Sequence, residues 1–254
     1  MNHLNETKLN NQGCLMKIVE DNGSSDIVVE FQDEHRYKKH TIYANFKRGC
    51  IRNPYHPTVY GVGITGNKYK TKVNDKHTKE YIAWTDMLER CFIERAKDKQ
   101  PSYKNVTCCK EWLNFELFCD WLHCQSNFDK WKNGYRWALD KDILVKGNKV
   151  YSPETCCLVP QNVNCLLLKR DALRGNLPLG VKRNRKTFSA VYSNPITGKS
   201  EHLGNYETAE EAFYAYKCKR ESYIKQVAEI EYKTGNITEP CYIALMNYAI
   251  EIND

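Results

Sequence analysis

Two acids at alternate positions, Asp140 and Asp142, are the residues of this sequence best suited to bind a metal ion. They follow the apolar residues 137–139, a pattern that indicates a strand. Side chains at i and i+2 of a strand point to the same face, so we expect the two carboxylates to share Mg²⁺ or another divalent metal. Such an ion would offset the charge of a phosphate during hydrolysis. The alternative is that both acids are solvated, or paired with Lys141 and Lys146.

A second candidate site lies near the C-terminus, where the sequence predicts a small sheet followed by a helix. The three short strands are predicted at residues 180–184, 187–193 and 199–203, with a turn at residues 194–198. Thr208 and Glu211 have the spacing of a capping box, which predicts a helix from there to about Tyr232.

Alternation along these strands separates the two faces of the sheet. The apolar side chains turn inward onto the helix: Phe188, Ala190, Tyr192 and Leu203. The outward face is basic and small polar, with Lys182, Asn184, Ser189, Val191, Ser193, Ser200 and His202. A sheet with such a face fits the major groove of double-stranded DNA. Four basic residues are expected to neutralise phosphates: Lys182, Arg183, Arg185 and Lys186. They belong to a strongly basic stretch, residues 169–186, that also contains Lys169, Arg170 and Arg174.

The elements upstream form an N-terminal and a central segment. Apolar runs at residues 15–19 and 27–31, separated by turn formers, predict a hairpin in a small β-module. Residues 67–79 are predicted to be a polar, Lys-rich linker. Apolar residues at three- and four-residue steps predict helices within residues 80–125, and residues 135–169 follow a strand, turn, strand, helix pattern.

These elements define an α+β fold class with three segments. The domains are predicted at residues 1–75 (β-module and linker), 76–172 (ββα core with flanking helices) and 173–254 (three-stranded sheet plus helix). The length of 254 residues and the hydrophobic fraction of 41% allow this many small cores.

The composition limits the partners and the compartment. A net charge of +7 is compatible with a polyanionic partner. No apolar run approaches the roughly 18 residues of a membrane span, and the polar N-terminus does not resemble a signal peptide, so we expect a cytoplasmic protein without a membrane partner. The twelve cysteines include no C-x-x-C pair, which favours buried, reduced thiols over the alternative of a zinc site built from distant cysteines.

The C-terminal stretch LGVKRNRKTFSAVYSNPITGKSEHLGNYETAEEAFYAY resembles the plant ethylene-response (APETALA) type DNA-binding domain, which also occurs in mobile endonucleases. The resemblance covers most of that domain and implies that the exposed sheet reads DNA. It implies contacts by Lys182, Asn184, Ser193, Ser200 and His202. The family places arginines and tryptophans where four of these residues are polar, so we expect weaker sequence specificity.

The central segment resembles phage-type HNH homing endonucleases over residues 80–168. The matching pieces occur in that family's order: Trp84-Thr85-Asp86-Met87, Arg90-Cys91, Tyr103, Glu111-Trp112, Phe115, Phe118, Leu139-Asp140-Lys141 and Tyr151-Ser152-Pro153-Glu154-Thr155-Cys156. The family's general base is a histidine. Here Asp140 takes its position, and no histidine occurs between His123 and His202. The resemblance implies catalytic Asp140, Asp142 and Asn164, with metal ligands Asp140, Asp142 and Asn148.

Three functions remain open at this point. In the first, the chain is an HNH-type endonuclease with a degenerate active site, and its C-terminal domain directs it to DNA. Alternatively it is a non-enzymatic DNA-binding protein of a phage or mobile element, or a phage protein that binds a host or defence protein. For a phage protein, the compartment would be the host cytoplasm. The oligomeric state is open in all three.

Overall fold

The computed structural model describes residues 2–167, 177–194 and 196–254. The chain forms two compact units, the first from Met1–Lys104 and Cys108–Asp120, the second from Asn105–Thr107 and Trp121–Asp254. Helices and several small antiparallel sheets occur together, which confirms the predicted α+β class. Within the described ranges, no helix is both long enough and apolar enough to span a membrane.

The N-terminal sheet of the first unit is an antiparallel meander. Its strands are β1 (Thr7–Leu9), β2 (Leu15–Asp21), β3 (Ile27–Phe31) and β4 (Lys38–Thr41), followed by helix α1 (Tyr43–Arg48). The predicted hairpin is confirmed, because β2 pairs with β3 across the turn formers. Met16, Ile18 and Phe31 are fully buried and pack in one core with Phe46 of α1.

Residues 67–79 are not a linker, because a short hairpin forms within them. Strand β5 (Lys72–Val73) pairs with β6 (Lys76–His77). The two turn residues, Asn74 and Asp75, have φ angles of 49° and 60°. Asn and Asp tolerate this left-handed conformation, which two-residue hairpin turns require. Two-residue strands are too short to produce a periodic pattern, so the sequence prediction was wrong here.

Helices complete the first unit. They are α2 (Lys79–Phe92), α3 (Glu94–Lys99) and the start of α4 (Phe115–His123), with 3₁₀ turns at Pro101–Tyr103 and Glu111–Leu113. A short strand, β7 (Thr107–Cys108), is divided between the units, with Thr107 in the second and Cys108 in the first. The predicted apolar stripe of α2 is buried, and the Trp84 Nε1 group donates to the Trp112 carbonyl at 2.7 Å. The boundary between the two units falls inside α4.

The second unit begins with the predicted strand, turn, strand, helix pattern. Its elements are α5 (Phe128–Asn133), β8 (Trp137–Asp140), β9 (Val150–Tyr151), β10 (Cys157–Pro160) and α6 (Gln161–Leu166). β8 and β10 are antiparallel, with Asp140 opposite Cys157. The order of elements is confirmed as far as residue 167.

The C-terminal elements are β11 (Val181–Asn184), β12 (Thr187–Ser193), β13 (Ser200–Tyr206), α7 (Ala209–Lys233) and α8 (Glu239–Met246). Both hydrogen bonds of the predicted capping box form between Thr208 and Glu211 at the start of α7. Gly180 has a φ of +73°, and a Cβ there would overlap the Tyr216 ring. This close approach lets β11 lie against α7.

One core joins the central and C-terminal elements of the second unit. Val159 of β10 and Val163 of α6 belong to the same buried cluster as Ala190, Ala228 and Cys241. The compact units therefore do not follow the predicted boundaries after residues 75 and 172, the second of which lies outside the described residues. The three-segment division of the chain into domains stays a prediction.

Candidate functional site

The three-stranded sheet has one face covered by α7 and one face open. Ala190 and Tyr192 are buried on the covered face. On the other face, Lys182 lies opposite Ser189 and Ser193 lies opposite Ser200. The predicted outward residues therefore share the open face, and five of them are exposed: Lys182, Asn184, Ser193, Ser200 and His202. The other two are less accessible: Ser189 has a relative exposure of 8%, and Val191 is half-buried.

A β-bulge in the third strand brings one residue to this face that the sequence analysis missed. The register shifts between Ala190 and Val191, and Gly204 has a φ of +141°. Asn205 consequently lies opposite Ser189. The signal was present in the sequence, because a glycine inside a strand often marks a bulge.

Asn205 is the centre of a hydrogen-bond network on the open face. Its Oδ1 atom accepts from Ser189 Oγ at 2.7 Å and from Asn184 Nδ2 at 3.3 Å, and it lies 3.3 Å from His202 Nε2. Within the described residues its Nδ2 group donates to no other atom. The amide can therefore offer two donors to a base edge, while its neighbours hold the carbonyl oxygen in place.

The cations of the sheet lie at its exposed edge. Arg185 and Lys186 form the two-residue turn between β11 and β12, and both are exposed, as is Lys182. Arg183 lies opposite Phe188, with its guanidinium 5.5 Å from the ring centroid, so it is on the helix side of the sheet. Lys169, Arg170 and Arg174 lie outside the described residues. Ser193 and Ser200 bond to each other at 2.9 Å.

The two central acids come together, but not as alternate residues of a strand. β8 ends at Asp140, and Asp142 lies in the turn that follows, so the predicted strand geometry is wrong. The Asp140 Oδ1 atom accepts the backbone N–H groups of Asp142 and Ile143, each at 2.8 Å. An aspartate that caps its own turn ends a strand in this way. Asp142 lies 3.2 Å from the Lys141 ammonium, which is the pairing that the alternative interpretation expected.

The environment of Asp140 shifts its ionisation. Burial, and then the nearby Asp142 carboxylate, raise the pKa of Asp140 from 3.8 to about 6, against the opposing effect of the two backbone bonds. Burial also raises the pKa of the neighbouring Cys156 thiol to about 12. Asp140 therefore keeps its proton to a higher pH than an ordinary aspartate does.

The other predicted site residues do not join the two acids in a common set of hydrogen bonds. The Asn148 amide donates to the carbonyls of Lys141 and Val150 at 2.6 and 2.7 Å, which closes the loop between β8 and β9. Asn164 is half-buried on α6, and its side chain makes no hydrogen bond with any described residue. Lys146 does not pair with the central acids. It binds the Ala249 carbonyl at 2.8 Å and the Asp254 carboxylate at 2.6 Å.

The donors that remain supply only part of the predicted metal-binding set. No group of three or more His, Cys, Asp and Glu side chains that could hold a metal occurs in the described part of the chain. Asp140 and Asp142 bring two carboxylates together, but one oxygen of Asp140 is committed to its turn and Asp142 already contacts a lysine. The Asn148 Nδ2 group, and not its oxygen, faces the carbonyls of Lys141 and Val150. The predicted three-ligand set is therefore not assembled.

All twelve cysteines are free thiols. Two pairs of thiols interact, Cys91 with Cys108 in the first unit and Cys157 with Cys241 in the second. The interaction with the Cys241 thiol, and then burial, raise the pKa of Cys157 well above its ordinary value. Five of the twelve are buried, as small apolar side chains with weak S–H donors are, whereas Cys50, Cys124 and Cys218 are exposed.

Comparisons with models of known protein families, with curated proteins and with solved structures found no match to this chain. The two resemblances therefore depend on the motifs quoted above, together with the chemistry of the residues.

Proposed function

We propose that the chain binds double-stranded DNA through the open face of its three-stranded sheet. The observation that carries the proposal is an exposed β-surface of polar residues around Asn205, bordered by the cations Lys182, Arg185 and Lys186. Polar side chains on the face can contact base edges, while the lysines and arginine contact phosphates. The hydroxyls of Ser193 and Ser200 satisfy each other, so we expect them to contribute less than the sequence analysis predicted.

Salt-dependent binding tests this proposal. The full chain should bind duplex DNA with an affinity that falls as salt rises, with a log–log slope of about 0.9 for each neutralised phosphate. Lys182→Gln with Lys186→Gln should lower that slope by about 2. The matched control is Lys225→Gln with Lys233→Gln, which removes two exposed lysines of α7 on the other side of the sheet. No binding at low salt, or equal effects of both double variants, would refute the proposal.

A second candidate function is metal-dependent DNA cleavage. It is favoured by the strand, loop, strand, helix arrangement, which has Asp140 and Asp142 at its first turn. With two carboxylates and no histidine in this region, we expect slow nicking of plasmid DNA in Mg²⁺ or Mn²⁺. Asp140 and Asp142 would hold the ion, and the activity should rise with pH, because the Asp140 carboxyl would bind a cation only in its deprotonated form.

Substitutions separate cleavage from binding. Asp140→Ala should abolish nicking and leave the affinity for DNA unchanged, whereas Lys182→Gln should weaken affinity and leave the chemistry unchanged. Nicking that survives the Asp140→Ala, Asp142→Ala double variant places the chemistry elsewhere. The absence of nicking in both metals favours a DNA-binding protein without activity. The absence of DNA binding as well favours the alternative of a host or defence protein as partner.

A further inference from the structure

The hairpin of the first unit carries cations that no acid neutralises. We call residues 70–77, which contain β5 and β6, the basic hairpin. Lys70, Lys72 and Lys76 are exposed, and none forms an ion pair with a described residue. The only acid in the segment is Asp75, in the turn. The excess of positive charge is therefore local and available to a partner.

The base of the basic hairpin is held by two carboxylates of α4. Asp120 accepts from Lys68 Nζ and from the Tyr69 hydroxyl, each at 2.5 Å. Glu116 accepts the backbone N–H groups of Asn67 and Lys68, at 2.6 and 2.5 Å. Glu116 and Asp120 therefore bind residues 67–69, and they form no ion pair with the exposed lysines of the basic hairpin.

The other end of the basic hairpin is held by the start of α2. Thr78 caps this helix by accepting from the Tyr81 N–H group, and its own N–H group donates to the Thr71 carbonyl at 3.0 Å. The His77 ring stacks on Tyr81 with a centroid separation of 4.7 Å. Both strands are therefore fixed before any partner binds, so little conformational entropy is lost on binding.

The basic hairpin presents cations on both of its faces. Lys72 is paired with His77 on one face, and Lys76 is paired with Val73 on the other. Val73, beside the turn, is an exposed apolar residue with 53% of its surface accessible. A DNA major groove is about 12 Å wide, admits a two-stranded ribbon and has a row of phosphates on each wall. A flat anionic membrane would meet only one face of such a ribbon at a time.

We propose that the basic hairpin is a second DNA-binding element, which enters the groove of a duplex and contacts phosphates through Lys70, Lys72 and Lys76. This inference rests on the proposed DNA-binding function but uses a different unit of the chain. The two elements contribute independent sets of phosphate contacts, so each adds to the salt dependence of binding.

The test measures the duplex-DNA affinity of the full chain across a salt series. Changing the three lysines to glutamine (K70Q, K72Q, K76Q) should lower affinity at 0.1 M salt by at least about tenfold and reduce the log–log slope by about 2 to 3. The matched control removes three exposed lysines of the same unit (K39Q, K104Q, K110Q) and should change both quantities much less. Changing the hairpin lysines to arginine (K70R, K72R, K76R) should restore both, because arginine also binds phosphate.

The outcomes separate this inference from the proposed function. Wild-type binding that is unchanged in the hairpin variant, or equally weakened in the control variant, overturns the hairpin inference alone. The absence of wild-type binding overturns both. A hairpin variant that loses affinity for phosphatidylserine-rich vesicles but keeps its affinity for duplex DNA would make the hairpin a membrane-surface element and overturn the inference. An arginine variant that binds as weakly as the glutamine variant would show a structural effect, with the same consequence.

Discussion

Replacing Asp140 by asparagine should stabilise the second unit at neutral pH. The half-buried Asp140 carboxyl has its pKa raised to about 6 by desolvation and by the Asp142 carboxylate. Its Oδ1 atom accepts two backbone hydrogen bonds, and an asparagine Oδ1 atom can accept the same two. Asp140→Asn therefore keeps the turn and removes only the charge.

The expected magnitude follows from the difference between the folded and unfolded pKa values. The shift from 3.8 to about 6 corresponds to two pKa units, or up to about 3 kcal/mol. Because the folded state holds the proton more tightly, the stability due to the neutral carboxyl is fully present below pH 4 and is lost as pH rises through 6. The variant and the wild type should have equal stability near pH 4, and the variant should be more stable above pH 7.

Hydrogen exchange of the amides in β8 and β10 reports the opening of this unit. In the presence of EDTA at pH 7.5, exchange by global unfolding should be up to about a hundredfold slower in Asp140→Asn than in the wild type, and equal near pH 4. Glu229→Gln, an exposed change of the same charge on α7, should have little effect at either pH. Faster exchange in Asp140→Asn at pH 7.5, or the same difference at both pH values, would refute this explanation of the pKa shift.

Three further predictions concern the sheet and the thiols. Gly180→Ala should destabilise the second unit by about 2 to 4 kcal/mol, because the added Cβ would overlap the Tyr216 ring. Gly198→Ala should cost about 1 kcal/mol, because its φ of +70° is strained for alanine but the space around it is open. Urea unfolding measures both changes in the free energy of unfolding. Asn205→Ala should weaken DNA binding by about 1 to 3 kcal/mol without changing the salt slope, and a changed slope would indicate a phosphate contact instead. Mass spectrometry of freshly purified, non-reduced protein should show twelve free thiols, and a stoichiometric disulfide would contradict the reduced arrangement.

Local signals predicted the elements of this chain well, for identifiable reasons. The capping box at Thr208 and Glu211 set the start of α7, because it satisfies helix N–H groups from within the same turn. Alternation placed Lys182 and Ser193 on the open face, because strand side chains alternate whatever covers them. The strand, loop, strand, helix order around Asp140 was predicted from the apolar pattern along residues 135–169, which is also a local signal. The roles in DNA binding and cleavage stay predictions.

The sequence by itself determined the α+β class, the types of the longer elements and the open basic face, since each depends on patterns within a few residues. Only the tertiary structure decided which segments share a core, because apolar side chains of β10 and α6 pack with those of α7 and α8, far away in the chain. It also decided that Asp140 caps a turn, that a bulge turns Asn205 outward, and that Asp120 anchors the basic hairpin. Each of these depends on which distant backbone or side-chain partner satisfies a polar group, and no local pattern contains that information.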